Sequence, residues 1–340
     1  MGSGTLDAMS RRGVLTIAGL TVLLALAVGA RLVVGGPTWG LPENAEFWTL
    51  RLDRAWAAAI VGASLAVGGV LLQSLLRNPL ASPDLIGPAA GAGLAVMIRV
   101  YLATALTAGG AASLGQSSAA ANAPAALAGS LGALALVYSL SQRRGFIDPV
   151  SLVLVGVIVG VICGAATMFV AHLMPDRGFS VARWTLGELS DETPRRTLLL
   201  ASLAAGVTVT VAVALGPAMD VAALGDDEAL STGVPIARLR IALFLLSGVL
   251  TAVAVVLAGP VGFVGLVCPH IVRLLAGPAH RTLVLGSAVA GATLIVAADA
   301  AVKAVNLGGG RMPIGVITAL VGGPVFIVLL RRGTARSRLF

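Results

Sequence analysis

The 340-residue chain is too apolar to fold as a soluble protein. Hydrophobic residues make up 57% of it and charged residues 11%, whereas a soluble domain has about 25% charged residues to cover its surface. The formal charge of +8 lies mainly in short gaps between apolar runs, without interleaved aromatic residues, which argues against nucleic-acid binding. The composition therefore predicts an all-α, polytopic membrane protein whose surface mostly contacts the lipid bilayer.

Apolar runs of about 18 residues or more predict membrane-spanning helices. One further apolar segment, Gly259–Gly277, contains Pro260 and Pro269 and predicts a broken span, because irregular backbone at membrane depth must be surrounded by protein or line a cavity. With this segment we expect ten spans in a single transmembrane domain over residues 1–340. The other nine are Val14–Val34, Ala55–Leu76, Ile86–Leu106, Ala121–Leu140, Val150–Leu173, Leu198–Leu215, Ile241–Ala258, Leu283–Val305 and Ile314–Leu330.

An even number of spans places both termini on one side of the membrane. Basic residues beside the spans favour the cytoplasmic side of the cell's inner membrane, since thirteen then lie inside and nine outside. We therefore expect cytoplasmic tails at residues 1–12 and 331–340. The outer group of basic residues is unusually large for this topology and needs a separate explanation.

The sequence lacks the motifs of nucleotide and metal chemistry. The single lysine, Lys303, lies in Ala-Val-Lys-Ala-Val and cannot belong to a P-loop, and the histidines are too scattered to suggest a metal site. We expect no catalysis, no cofactor and no metal bound by this chain. Asp299 is the one acidic residue well inside a span, so it is either functional or a structural partner of Lys303 one helical turn away. His270 is expected to be buried and hydrogen-bonded.

Three polar stretches are too organised to be ordinary loops. Gln73–Asp84 ends a span with two prolines, which prevent the helix from continuing. Leu224–Arg240 is long enough for one or two short helices, and its acidic residues suit a helix start. Such an insert, amphipathic rather than apolar, is suited to docking on a soluble cytoplasmic partner. Gly259–Arg273 combines glycines and prolines with a histidine at the broken span.

These stretches resemble the motifs of FecCD-type permeases, the membrane subunits of ABC importers for ferric siderophores, haem and vitamin B12. The family pattern R-L-P-R appears as Arg51–Arg54, N-P-L-A-x-P as Asn78–Pro83, and G-P-x-G-F-V-G-L-x-x-P-H-x-x-R as Gly259–Arg273. The closing pattern resembles Met312–Gly315 with Gly322–Phe326. The resemblance covers about residues 45–332.

The resemblance implies a type II ABC importer permease fold with ten transmembrane helices in each subunit. It also implies a homodimer, or a pair with a homologous permease, with the substrate path at the two-fold interface. A cytoplasmic ABC ATPase dimer would bind ATP and Mg, and an extracytoplasmic substrate-binding protein would deliver the cargo. The implied cargo is a ferric siderophore, with haem and cobalamin as alternatives.

The same resemblance assigns roles to three groups of residues. Residues 220–237 would form the coupling region that contacts the ATPase, with Leu224, Gly225, Leu230, Gly233 and Val234 within it. Asn78 and Leu80 would lie near the cytoplasmic gate. Arg51, Arg54 and Lys303 would lie at the outer mouth and pair with acidic residues of the binding protein, which would explain the outer positive charge.

The chain departs from the family pattern at its outer face. Asp53 replaces a proline, and we expect it to pair with Arg51 or Arg54. Lys303 replaces an arginine, which keeps the charge and loses the forked geometry. The segment Gly187–Leu189 stands where the family often has G-S-L.

Two other functional classes remain open from the residues alone. An ion-coupled secondary transporter would need several ionisable groups at the middle of the membrane, where this chain offers only Asp299. An intramembrane enzyme would need paired catalytic groups on facing helices. Neither class explains the polar insert that begins at Leu224.

Overall fold

The computed structural model describes residues 10–35, 40–42, 44–83, 87–106, 119–143, 146–174, 186–190, 193–304 and 312–337. Over these ranges the chain is helical except for loops and one antiparallel pair of two-residue strands. In chain order the elements are α1 (Arg11–Val33), α2 (Ala45–Leu76), α3 (Pro88–Leu106), α4 (Ala119–Leu140), β1 (Gln142–Arg143), β2 (Phe146–Ile147), α5 (Pro149–His172), α6 (Arg195–Ala214), α7 (Gly216–Ala222), α8 (Asp226–Ser231), α9 (Ile236–Ala258), α10 (Val264–Ala276), α11 (His280–Ala304) and α12 (Ile314–Ser337).

The all-α prediction is confirmed, and within the described ranges ten helices overlap the ten predicted spans, although the number of membrane crossings stays a prediction. Seven of them are long and apolar enough to cross a membrane. The remaining three, α3, α10 and α12, contain shorter apolar stretches. The largest difference in boundary is at α2, which begins at Ala45 instead of Ala55. Charged residues at 51, 53 and 54 lower the local hydropathy, but they do not interrupt a helix.

Helix α2 lies at the centre of the fold and packs against α9, α10 and α11. Two glycine contacts bring its backbone against its neighbours. A Cβ on Gly62 would lie 2.0 Å from the carbonyl oxygen of Gly291 in α11, and a Cβ on Gly69 would lie 1.9 Å from that of Gly265 in α10. Only glycine permits such an approach, which is a common device where no hydrophobic force drives helices together in lipid.

The other helices surround this centre. Helix α1 packs on α11, α3 packs on α4 and α5, and α6 packs on α9 and α2. Helix α5 lies at the periphery of the bundle and exposes large apolar side chains such as Val150, Val161 and Phe169. In a membrane such a face contacts lipid tails or another protein chain.

The predicted broken span is confirmed. Helix α9 ends at Ala258, and α10 begins six residues later, after Phe263, whose φ of 69° lies in the left-handed region. The predicted insert, Leu224–Arg240, contains one short helix, α8, followed by the start of α9, and a second short helix, α7, lies before Leu224 and directly after α6. Following the predicted topology, we call the end of the bundle that holds Asp299 the outer end and the end that holds α8 the cytoplasmic end.

Candidate functional site

At the outer end a buried ionic cluster joins α1, α2 and α11. Asp299 accepts hydrogen bonds from Arg54 Nη2 at 2.7 Å and from Arg31 Nε at 2.5 Å. Asp299 is fully buried, and both arginine side chains are 3% exposed. Lys303, which the sequence suggested as one possible partner of Asp299, is half-buried one helical turn further along α11. Buried charges must be paired to offset their loss of hydration, which ties these three helices to one another.

Arg54 also connects this cluster to the loop before α6. Its Nη1 donates to the carbonyl of Leu189 at 2.8 Å. In the same loop, the amide of Glu188 donates to Ala258 at the end of α9, and the carbonyl of Gly187 accepts from Ile314 at the start of α12, each at 2.8 Å. The loop that departs from the family's G-S-L pattern therefore contacts α9 and α12 directly. Through Arg54 it is also connected to the three helices of the Asp299 cluster.

The three residues predicted to dock a binding protein differ in their surroundings. Arg51 is half-buried and donates through Nη1 to the carbonyls of Leu32 and Gly40, the latter at 2.8 Å. Lys303 is also half-buried. Arg54 is buried against Asp299, so an acidic residue of a partner would have to displace Asp299 to reach it. The docking role stays a prediction for all three residues.

The prediction that Asp53 pairs with Arg51 or Arg54 is wrong. Its carboxylate pairs with Arg195 at the start of α6, with Oδ2 3.0 Å from Nε. Arg51 and Arg54 lie on the same helix but direct their guanidinium groups to main-chain carbonyls and to Asp299. Arg195 is distant in sequence, which is why neighbouring residues alone suggested another partner.

At the cytoplasmic end the Asn78–Pro83 motif forms a hydrogen-bonded turn. Helix α2 ends at Leu76, and the residue that caps it, Arg77, has left-handed backbone angles with φ 47°. Asn78 Oδ1 accepts from the amide of Leu80 at 2.9 Å, and the Asn78 carbonyl accepts from the amide of Ala81 at 3.1 Å. The side chains of Asn78 and Leu80 are exposed. Their predicted role at the gate stays a prediction.

Gln73 joins this turn to the broken span. Its buried side-chain amide donates to the carbonyls of Ala81 at 3.3 Å and Gly265 at 3.1 Å. Its Oε1 accepts from Arg273 Nη2 at 3.0 Å. The two most specific sequence motifs, 78–83 and 259–273, are thus connected through one residue to which the sequence assigned no role. The sequence signal that could have indicated this role is the presence of a polar residue near the otherwise apolar end of α2.

His270 differs from the expectation. It is half-buried, and its Nδ1 is shielded from solvent without a hydrogen-bond partner among the described residues. Arg273, one turn further along α10, likewise has one such nitrogen, Nη1. The expected hydrogen bond of a buried histidine is therefore absent from the described ranges.

The predicted coupling region contains α8 and the turns on either side of it. Leu224 and Leu230 are 74% and 62% exposed, although both are apolar and lie outside the spans. Gly233 has a φ of 81° and ends the helix, since its amide donates to Leu230 and the amide of Val234 donates to Ala229. Gly225 precedes the first residue of α8. Exposed apolar residues on a short, polar insert are typical of a protein contact.

A second pair holds α7 against α11. Asp220 Oδ1 accepts from the backbone amide of His280 at 2.9 Å and lies 2.7 Å from its Nδ1. Partial burial alone would raise the pKa of the Asp220 carboxyl, but the hydrogen bonds from His280 outweigh it and hold the pKa below its ordinary value of 3.8. The carboxylate is therefore ionised at neutral pH.

Comparison with known proteins places these features in a family. Residues 15–332 match the model of the FecCD transport family. The chain is 33% identical over 339 residues to the hemin transport system permease protein HmuU of Yersinia pestis, covering 94% of this chain and 95% of that protein. It is 36% identical over 315 residues to the vitamin B12 import system permease protein BtuC of Vibrio cholerae, covering 91% of this chain and 90% of that protein.

An archaeal relative and a solved structure agree with these matches. The cobalamin import system permease protein BtuC of Halobacterium salinarum is 36% identical over 302 residues, covering 88% of this chain and 77% of that protein. An ABC transporter described as metal-chelate type, solved in an inward-facing conformation, superposes with a TM-score of 0.80 and 27% identity. That superposition covers 94% of this chain and 99% of the solved one.

Proposed function

The chain belongs to the FecCD transport family, and we propose that it is the membrane-spanning permease subunit of an ABC importer whose cargo is a metal chelate. The observation that carries the proposal is the family match over residues 15–332, which spans the whole helical scaffold. The chain is a non-catalytic subunit, and a separate subunit hydrolyses ATP. The opposed ends of the bundle, one positively charged and one bearing exposed leucines, suit two different protein partners.

At the cytoplasmic end, the proposed partner is an ABC ATPase dimer. The support is α8, a short helix outside the spans that exposes Leu230, with the exposed Leu224 directly before it. Movement of the ATPase against this helix would alternate the access of a cavity to the two sides of the membrane. ATP and Mg would be bound by that partner.

The proposed arrangement in the membrane is a dimer with a second copy of this chain or with a homologous permease. Helix α5 supports it with a row of exposed apolar side chains, including Leu154, Val161 and Phe169. We propose that both termini are cytoplasmic. Gly13 in α1 packs against Thr282 at the start of α11, which brings the N-terminal end of α1 to the end that carries α7 and α8.

At the outer end, the proposed partner is a substrate-binding protein. Arg51 and Lys303 supply positive charge there, beside the internally paired Arg54. Charges at the rim of an interface mainly raise the association rate and fix its register, so they suit a delivery protein that must bind and leave repeatedly.

The proposed cargo class is a metal chelate, for which ferric siderophores, haem and cobalamin are the candidates. The sequence resemblance favours a ferric siderophore, while the relatives above are named for hemin and for cobalamin or vitamin B12. All of these ligands are large complexes of a metal ion, and all require a wide path. The candidates differ in the organic molecule that chelates the metal ion.

The test is uptake into proteoliposomes that contain the chain, its ATPase and its binding protein. Each of three labelled chelates, ferric siderophore, haem and cobalamin, is offered outside with ATP enclosed. We expect uptake of one class, dependent on ATP and on the binding protein. Uptake that continues without the ATPase would instead indicate a secondary transporter, and no uptake of any chelate would overturn the proposed cargo class.

A further inference from the structure

A second ionic cluster lies at the cytoplasmic end of the bundle. Asp226, the first residue of α8, pairs with Arg240 of α9, with Nη2 3.0 Å from Oδ2. Its other oxygen accepts from Nη2 of Arg77, the residue that caps the C-terminal end of α2. One carboxylate of the short helix therefore holds two arginines from two different parts of the chain.

The two arginines connect Asp226 to different parts of the chain. Arg240 is 14 residues from Asp226, so this pair closes the α8–α9 segment on itself. Arg77 is 149 residues away and directly precedes Asn78. Within the described residues, the Arg77 pair is therefore the ionic connection between α8 and the Asn78–Pro83 turn.

The turn on the other side of Arg77 is held by several hydrogen bonds. The amide of Asn78 donates to the carbonyl of Gln73 at 3.1 Å, and the Leu80 and Ala81 amides are both bonded to Asn78. Gln73 in turn bonds Gly265 and Arg273 on α10. Because these residues are joined by hydrogen bonds, a displacement of the Arg77 guanidinium would reach both the turn and the start of α10.

We propose that Asp226 is a positioning residue that transmits movement of α8 to the Asn78–Pro83 turn through Arg77. The inference rests on the proposed function, in which the ATPase moves α8. Exposed ion pairs contribute little to stability, and Asp226 and Arg77 are both more than one third exposed. The pair is therefore expected to matter for coupling far more than for folding.

The test compares Asp226→Asn with Asp227→Asn in the assembled transporter. Asp227 is its neighbour in α8 and makes no ion pair within the described ranges. The readout is ATP hydrolysed per molecule of imported chelate, measured with whichever of ferric siderophore, haem or cobalamin the wild-type complex imports. For Asp226→Asn we expect this ratio to rise about fivefold or more, the low end of typical coupling between sites, while Asp227→Asn stays within about twofold of wild type.

Further variants distinguish the contribution of Arg77 from that of Arg240. Arg77→Gln should raise the ratio as Asp226→Asn does, and the double variant should be no worse than either single variant, because both remove the same link. Arg240→Gln should leave the ratio near the wild-type value. Equal ratios for Asp226→Asn and Asp227→Asn, or additive effects of Arg77→Gln and Asp226→Asn, would overturn the proposal.

A measurement on the purified chain tests the link without any partner. Amide hydrogen exchange at Leu80 and Ala81 should accelerate in Asp226→Asn and stay unchanged in Asp227→Asn, since only the first releases the turn. Unchanged exchange in both variants would contradict the link. If the wild-type complex imports no chelate, the proposed function fails, and the exchange measurement still decides whether α8 restrains the turn.

Discussion

Asp299 of α11 and Arg54 of α2 form an ion pair of 2.7 Å in which the carboxylate is fully buried and the guanidinium is 3% exposed. Arg31 of α1 shares the same carboxylate. We expect Asp299→Asn to destabilise the protein by about 3–5 kcal/mol, because it leaves two buried cations without their counter-ion. The measurement is the melting temperature of the purified chain in detergent.

The matched control is Asp53→Asn, the same chemical change in an ion pair at the same end. Its partner Arg195 is 61% exposed, so the cost should be about 0–1 kcal/mol. Equal melting temperatures for the two variants would show that the Asp299 cluster does not hold the helices together.

The contact of Gly62 with Gly291 predicts a strict requirement for glycine. Gly62→Ala places a methyl group against the carbonyl of Gly291, with only backbone there to yield. We expect a loss of about 1–3 kcal/mol or more, the usual cost of overpacking. A melting curve in detergent measures it, with Gly19→Ala as the control, since a methyl group at Gly19 meets nothing within 4 Å. Tolerance of Ala at both positions would contradict the close approach of α2 and α11.

The outer basic residues predict a salt-dependent association with the binding protein. We expect Arg51→Glu with Lys303→Glu to lower the association rate by about tenfold or more at low ionic strength, and less at high salt, because the charges steer the encounter. Surface plasmon resonance on the membrane complex measures the rate. Arg12→Glu, at the opposite end, is the control for net charge. An unchanged rate in the outer double variant would remove Arg51 and Lys303 from the interface.

The Asp220–His280 pair predicts a pH dependence with a definite sign. Because the pKa of Asp220 is lower in the folded chain than its ordinary value of 3.8, its stabilising contribution is complete above about pH 4 and is lost as the pH falls through the folded pKa. The melting temperature of Asp220→Asn should therefore lie below wild type at pH 7 and approach it as the pH falls through the folded pKa. A difference that grows on acidification would contradict the assignment.

The hydropathy pattern predicts the spans of this chain because each span must satisfy its own backbone in lipid. The start of α2 was missed because hydropathy reports how apolar a segment is and not whether it is helical. Arg54 interrupts the apolar run, yet it is a buried helical residue neutralised by Asp299. Charge in the sequence therefore marked where the apolar run begins and not where the helix begins.

The site residues were predictable only where a motif is continuous in sequence. The Asn78–Pro83 turn and the break after Ala258 are local structures set by proline, asparagine and glycine. The partners of Asp299 lie 268 and 245 residues away, and no local pattern indicates them. The partners of Gln73 and Asp226 were not predictable for the same reason, because they lie on other helices.

The glycine contacts of α2 have a consequence for how the bundle can move. Where backbones touch at Gly62–Gly291 and Gly69–Gly265, one helix cannot slide along another without first separating from it. We therefore expect helices α2, α10 and α11 to move together during a transport cycle.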